Sequence, residues 1–147
     1  MSTITAQATQ VYQVFIRATP EAIWDAIVKP EFTAKYFHGA TVEVTPAERR
    51  SFAGSELRSV QDVLEFDPPR RLVHGWRSYY DPDLAAEEPS RVTWEIEPQE
   101  GGACSLLTVT HDRLEASPKT AENVAGAGWM WVLSALKTLL ETGEPLG

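Results

Sequence analysis

The chain of 147 residues contains a single cysteine, Cys104. One thiol cannot form an internal disulfide, so the fold does not depend on cross-links and a reducing compartment is expected. A membrane-spanning helix needs about 20 consecutive apolar residues, and no run in the sequence approaches that length. Residues 1–7 lack the basic start and apolar stretch of a signal peptide. We therefore expect a cytoplasmic protein without a membrane partner.

Basic residues are also scarce, with 13 Lys and Arg against 21 Asp and Glu, which gives a formal net charge of −8. Nucleic acids and anionic membrane surfaces are bound through cationic side chains, so neither is an expected partner. The three histidines and the cysteine have no metal-ligand spacing, and no nucleophile elbow, phosphate loop or dinucleotide fingerprint occurs. The sequence therefore predicts no metal, no cofactor and no catalytic residue.

Alternating apolar and polar residues dominate the first three quarters of the chain. Residues 10–18 place Tyr12, Val14 and Ile16 on one side, which is typical of a half-buried strand. Thr19 and the proline after it predict the start of a short helix, and residues 31–36 predict a second. Residues 1–9 are predicted to be a loose segment and residues 10–147 to form one domain. Six further strands are predicted near residues 41–46, 54–58, 60–66, 71–79, 91–97 and 104–111.

The last thirty residues predict one long helix. It begins after Ser117, ends before Gly143 and is about 36 Å long. Its apolar stripe consists of Val124, Trp129, Val132, Leu133, Leu136 and Leu140. A helix with one apolar face and an antiparallel sheet bury their apolar surfaces against each other, so the predicted class is α+β. A curved sheet would wrap the helix and bring the first strand beside the last.

Four segments carry a resemblance to a known family: TPEAIWDAI from Thr19, FDPPRRLVHGW from Phe66, LLTVTH from Leu106, and GWMWVLSALKTLLE from Gly128. Together they resemble the SRPBCC superfamily, also called START-like or birch-allergen-like, in the branch named for an activator of a heat-shock chaperone ATPase. The resemblance covers residues 10–143. It implies a helix-grip fold, in which a curved seven-stranded antiparallel sheet clasps the C-terminal helix, often around an apolar cavity, with two short helices after the first strand.

Strand alternation indicates which side chains face the helix. His74 shares a face with Leu72 and Trp76, and His111 shares one with Leu107 and Val109. An apolar enclosure with a few polar groups is typical of a small-molecule site. The predicted ligand-binding residues are Tyr36, Phe37, His74, Trp76, Tyr80, Trp94, Ile96, Leu107, Val109, His111, Trp129, Leu133 and Leu136.

Each of these features has an ordinary structural alternative. The aromatic side chains could fill a solid core with no cavity. His74 and His111 could be acid–base groups, or core histidines whose nitrogens are satisfied by hydroxyls such as those of Ser78 and Tyr80. The two glycines within the last helix, at positions 126 and 128, could make room for a ligand, although close helix–sheet contact or a kink is the simpler explanation.

Three functions remain open at this level. The first is a binding module that encloses a small, largely apolar molecule and needs no catalysis. The second, implied by the name of the family branch, is a co-chaperone-like domain with a chaperone as its protein partner. The third is an enzyme of the cyclase or hydrolase type that uses the same cavity. The protein could act as a monomer or as a homodimer.

Overall fold

The computed structural model describes residues 8–79 and 81–147, except for the side chains at positions 126 and 127. The first seven residues of the predicted loose segment, and Tyr80, lie outside the described part. The strands are β1 (Gln10–Ile16), β2 (Thr41–Val44), β3 (Glu48–Ala53), β4 (Glu56–Asp67), β5 (Arg71–Trp76), β6 (Ser90–Pro98) and β7 (Ser105–Asp112). The helices are α1 (Pro20–Val28), α2 (Pro30–Tyr36), α3 (Pro82–Ala85), α4 (Pro118–Asn123) and α5 (Trp129–Thr142), with a π-helical turn (Val124–Gly128) between the last two.

The seven strands form one antiparallel sheet in the order β1-β7-β6-β5-β4-β3-β2. The first strand pairs with the last along its whole length, from Gln10 opposite His111 to Ile16 opposite Ser105. This pairing confirms the prediction that the first strand lies beside the last. The α+β class, the curved seven-stranded sheet, the C-terminal helix and the two short helices after β1 are likewise confirmed.

The short helices form where their capping residues predict. The Thr19 hydroxyl accepts a hydrogen bond from the backbone N–H of Ala22, at 3.2 Å, and thereby caps α1. The apolar face of α1 is buried through Ile23, Trp24 and Ile27. Pro30 separates α1 from α2, because proline lacks an N–H but fits the first position of a new helix.

The C-terminal helical segment covers the inner face of the sheet. It ends at Gly143, whose φ of 80° is the left-handed conformation that glycine adopts most easily. The buried stripe of α5 includes Trp129, Val132, Leu133 and Leu136, and it joins the sheet in one hydrophobic core. Where the sequence predicts a regular helix through positions 126 and 128, the backbone instead makes the π-helical turn.

The region of β3 and β4 differs from the prediction. The sequence predicts a strand over residues 54–58, but residues 54 and 55 are the turn of a hairpin between β3 and β4. The polar residues 48–53 form a strand that the apolar pattern does not indicate. β4 then runs unbroken through residue 59, where a boundary was predicted, and β5 ends at Trp76 rather than at residue 79.

Membrane-spanning helices and clustered metal ligands are both absent from the described part of the chain. Among residues 8–79 and 81–147, no helix combines the length and apolar character needed to span a membrane. The same residues contain no group of three or more His, Cys, Asp or Glu side chains placed to hold a metal ion.

Candidate functional site

A half-open pocket of about 540 Å³ lies between the inner face of the sheet and the C-terminal helical segment. Its walls come from β3 to β5, from the residues just after β5, from the loop after α2, and from the helical segment at Asn123, Val124, Gly128, Trp129 and Val132. The π-helical turn thus forms part of the wall, and such turns inside helices frequently occur at functional sites. The volume falls within the range of about 300–1,000 Å³ that is usual for small-molecule pockets.

Three aromatic side chains, Phe37, Trp76 and Trp129, form one side of the pocket, and we call them the aromatic floor. The two indole rings lie 5.5 Å apart between centroids. Phe37 lies 5.9 Å from the ring of Trp76 and 6.4 Å from that of Trp129. These separations are typical of favourable aromatic pairs, so each ring of the floor is packed against the other two.

Two buried histidine–tryptophan pairs support the floor, and Trp129 of the floor belongs to one of them. The Trp129 indole N–H donates to Nδ1 of His111 at 3.0 Å, and the Trp94 indole N–H donates to Nε2 of His74 at 2.9 Å. An indole can only donate, so the accepting nitrogen of each histidine carries no proton. The remaining nitrogen of His111 therefore donates to the Ser90 hydroxyl at 2.7 Å, and that of His74 to the Gly75 carbonyl at 2.7 Å.

This hydrogen bonding keeps both imidazoles neutral. Burial lowers the pKa of His111 from 6.5 to about 4. Burial, together with the nearby Arg49 cation, holds the pKa of His74 well below its usual value. With neither ring exposed to solvent and both nitrogens of each ring engaged, the two histidines hold indoles in place rather than exchange protons with a bound molecule.

The predicted ligand-binding residues fall into two groups. Phe37, Trp76 and Trp129 line the pocket. The others among the described residues lie in the packed core below or beside it, and Tyr36 there donates a 2.8 Å hydrogen bond to the Ala26 carbonyl. Tyr80 lies outside the described residues. The core group consists of Tyr36, His74, Trp94, Ile96, Leu107, Val109, His111, Leu133 and Leu136.

Arg49 on β3 is one of several wall residues that the sequence pattern did not reveal. It is 7% exposed, and its guanidinium carbon lies 5.4 Å from the centroid of the Phe37 ring and 5.2 Å from that of Trp76. Burial lowers the pKa of Arg49 to about 10, which still leaves it protonated at neutral pH. The glycine–serine turn after β3 is a hairpin signal, and extending that hairpin in both directions would have placed Arg49 on the inner face.

The charge of the pocket is opposite to that of the chain. Three arginines, Arg49, Arg58 and Arg77, belong to its wall, and no Asp or Glu does so among the described residues. Arg58 is paired with Glu56 at 3.2 Å and is 43% exposed. Within the described part of the chain, no carboxylate lies within 4.0 Å of the Arg49 guanidinium and no oxygen accepts a hydrogen bond from it. Arg49 is therefore a buried cation without an anionic partner.

The sequence also matches a family of known proteins. Residues 17–141 match the family described as "Activator of Hsp90 ATPase homolog 1-like protein". The chain belongs to this family. The match spans most of the chain and confirms the resemblance to the SRPBCC branch named for the chaperone ATPase activator. A comparison with curated proteins finds no match.

Members of the Hsp90-activator-like family and related proteins share the fold in solved structures. Protein MLL2253 from Mesorhizobium loti aligns over 90% of this chain and 96% of its own, with a TM-score of 0.69 and 23% identity. PFC0360w, an HSP90 activator from Plasmodium falciparum, aligns over 93% and 97%, with a TM-score of 0.69 and 19% identity. The Aha1 dimer from Colwellia psychrerythraea aligns over 92% and 97%, with a TM-score of 0.69 and 14% identity. Because these identities are low, the structural alignments show a shared fold and nothing beyond the fold.

Proposed function

We propose that this protein binds a small, largely apolar molecule in the pocket between the sheet and the C-terminal helical segment, and that binding requires no catalysis. The observation that carries the proposal is the open volume of about 540 Å³ above a floor made of Phe37, Trp76 and Trp129. Such a floor offers apolar area, and its burial by a ligand is worth about 25 cal/mol per Å².

The rigidity of the floor supports the same function. Trp129 is fixed by His111, and His111 is fixed by Ser90, so the indole that packs against Phe37 and Trp76 holds those two rings in place when a ligand settles on them. A preorganised surface binds more tightly than a mobile one, because ordering costs reduce affinity. The buried histidines thereby contribute to binding without contacting the ligand.

We expect the neutral, apolar fluorophore N-phenyl-1-naphthylamine to bind the pocket. Its own emission should rise and tryptophan emission should fall on titration. Trp76→Ala removes a large part of the floor and should weaken binding by about tenfold or more, since an indole face contributes about 1.5–3 kcal/mol of apolar contact. Fluorescence titration measures both effects.

Trp131→Ala provides the matched control for that titration. Trp131 lies on α5 but is 42% exposed and is not part of the pocket wall. It should therefore leave the affinity for the fluorophore unchanged. Absence of saturable binding to the wild-type protein, or equal losses from the two variants, would contradict the proposed site.

A second candidate is a co-chaperone role. The description of the matched family supports it, as does the shared fold with the HSP90 activator from Plasmodium falciparum. The outer sheet surface offers Val11 and Phe15, which are 58% and 56% exposed, as apolar contacts for a protein partner. Co-purification of an Hsp90-type ATPase with the native protein, abolished by Phe15→Glu and unaffected by Trp76→Ala, would favour this role over ligand binding. We further propose a cytoplasmic location and a monomeric or homodimeric state.

The enzyme alternative finds less support. An acid–base mechanism needs a titratable group within hydrogen-bond reach of a bound substrate. His74 and His111 are fully buried, and all four of their ring nitrogens are engaged. The carboxylate next to His111 in sequence, that of Asp112, is paired with Arg91 instead.

A further inference from the structure

We propose that the ligand is an organic anion, with an apolar body that rests on the aromatic floor and a carboxylate that pairs with Arg49. This proposal rests on the proposed function, because it specifies the chemical class of the molecule that occupies the same pocket. Three observations support it, and each concerns the protein atoms of the pocket wall.

The first observation is that Arg49 is buried without a counterion. A buried cation is costly unless an opposite charge and hydrogen-bond acceptors compensate it, and one-sided burial of this kind is uncommon. The residue is only 7% exposed, and its guanidinium lies over two aromatic rings. Ring contacts do not use the N–H donors of a guanidinium, so the donors of Arg49 remain available to a ligand.

The second observation is the composition of the polar wall beside Arg49. β2, β3 and β4 are in register such that Arg49 lies opposite Val44 and Gln61, and Ser51 lies opposite Val42 and Ser59. Arg49, Ser51 and Ser59 all line the pocket. One half of the pocket is therefore rich in hydrogen-bond donors, while the other half is the aromatic floor. This division suits a molecule with one charged end.

The third observation concerns two N–H groups near the pocket. The indole N–H of Trp76 and the Nε–H of Arg77 are buried and have no acceptor among the described residues. More than nine in ten buried polar groups have a partner, so two unpaired N–H groups in consecutive wall residues are exceptional. Both nitrogens are closed off from solvent, so an acceptor from outside the chain reaches them only after a small rearrangement of these two side chains. A carboxylate presents about four acceptor positions, enough for Arg49 and a neighbouring donor.

The net charge of the whole protein contrasts with the positive charge of the pocket wall. The chain has a net charge of −8, which repels anions in general. The pocket wall nevertheless holds three arginines and no carboxylate among the described residues. Anions are thus favoured in this pocket, where an arginine fork can bind a carboxylate through two parallel hydrogen bonds.

The test uses three molecules with the same naphthalene body and different end groups: 2-naphthoate, 2-naphthalenemethanol and 2-naphthylmethylammonium. Isothermal titration calorimetry on the wild-type protein at pH 7.5 should give a dissociation constant for naphthoate about 10- to 100-fold below that for the neutral alcohol. The ammonium compound should bind more weakly than the alcohol, because it meets Arg49 with a like charge.

Two arginine variants separate a specific role of Arg49 from the general field of the pocket. Arg49→Met keeps a long apolar side chain and should abolish the preference for naphthoate, while binding of the alcohol persists. Arg50→Gln is the matched control: Arg50 follows Arg49 on β3, is paired with Glu48 and is not part of the pocket wall, so the preference should remain. Circular dichroism confirms that both variants are folded.

The outcomes of this experiment test the preference for anions separately from the proposed binding of apolar molecules. Equal affinities of the wild-type protein for naphthoate and the alcohol would overturn the anion proposal and leave apolar binding intact. No binding of any of the three compounds, nor of N-phenyl-1-naphthylamine, would overturn both. The wild-type comparison decides the matter even where Arg49→Met does not fold, since it requires no substitution.

Discussion

His111→Leu should lower the free energy of unfolding by about 2–4 kcal/mol, because a buried donor that loses its acceptor costs about 1–3 kcal/mol and the smaller packing change adds to it. The donor is the indole N–H of Trp129, which is 2% exposed and has His111 as its acceptor. The Ser90 hydroxyl also loses its partner at 2.7 Å and keeps only the Trp76 carbonyl, at 3.4 Å. Urea denaturation followed by circular dichroism measures the loss.

His111→Asn is the matched variant for this prediction. An asparagine side-chain oxygen can take the position of Nδ1 and accept from Trp129, so we expect this variant to lose less stability than His111→Leu. It should also retain binding of N-phenyl-1-naphthylamine, whereas the leucine variant should bind it more weakly because Trp129 is no longer fixed. A leucine variant as stable as the wild type would show that the hydrogen bond does not support the floor.

Lowering the pH from 7.5 to 5.5 should destabilise the protein, and His111 alone should account for about 1.4 kcal/mol. The pKa of His111 is about 4 in the folded state against an ordinary value of 6.5. Between these two values the unfolded chain binds a proton that the folded protein does not, so stability falls as the pH falls below 6.5. The depressed pKa of His74 acts in the same direction.

Carboxylates do not account for the effect in this interval. Hydrogen bonds, which outweigh the opposing effect of burial, lower the pKa values of Glu87, Asp112 and Glu141 from ordinary values of 4.5 or 3.8. Their contribution is lost only as the pH falls below those values. Urea midpoints measured at pH 7.5 and 5.5 should therefore converge in the double variant His74→Asn, His111→Asn. Stability that is constant or higher at pH 5.5 in the wild type would contradict neutral burial of the two histidines.

The sequence predicts those parts of the fold that local chemistry determines. Thr19 and the following proline mark the start of α1, and Gly143 marks the end of α5, because capping and positive φ restrict the residues allowed there. Alternation correctly predicts that His74 and His111 point inward. It does not predict their indole partners, because Trp94 and Trp129 reach the histidines only once β6 and the C-terminal helical segment are in place.

The polar half of the pocket could not be predicted in the same way. β3 contains Arg49 and Ser51 on its inner face, so the usual contrast between apolar inward and polar outward residues is missing there. A hydrophobic pattern treats such a segment as a loop. The aromatic floor, by contrast, follows from the positions of Phe37, Trp76 and Trp129, since large apolar side chains at inward positions are what the pattern detects.

The most direct measurement of ligand binding at this site is a titration of the isotope-labelled protein with N-phenyl-1-naphthylamine, followed through the indole N–H signals in a two-dimensional nitrogen–proton spectrum. The chain has five tryptophans, and each gives its own signal. We expect binding at the proposed site to shift the signals of Trp76 and Trp129 in a saturable manner and to leave that of Trp131 unchanged. Unchanged signals from Trp76 and Trp129 at saturating probe, or a shift confined to Trp131, would contradict it.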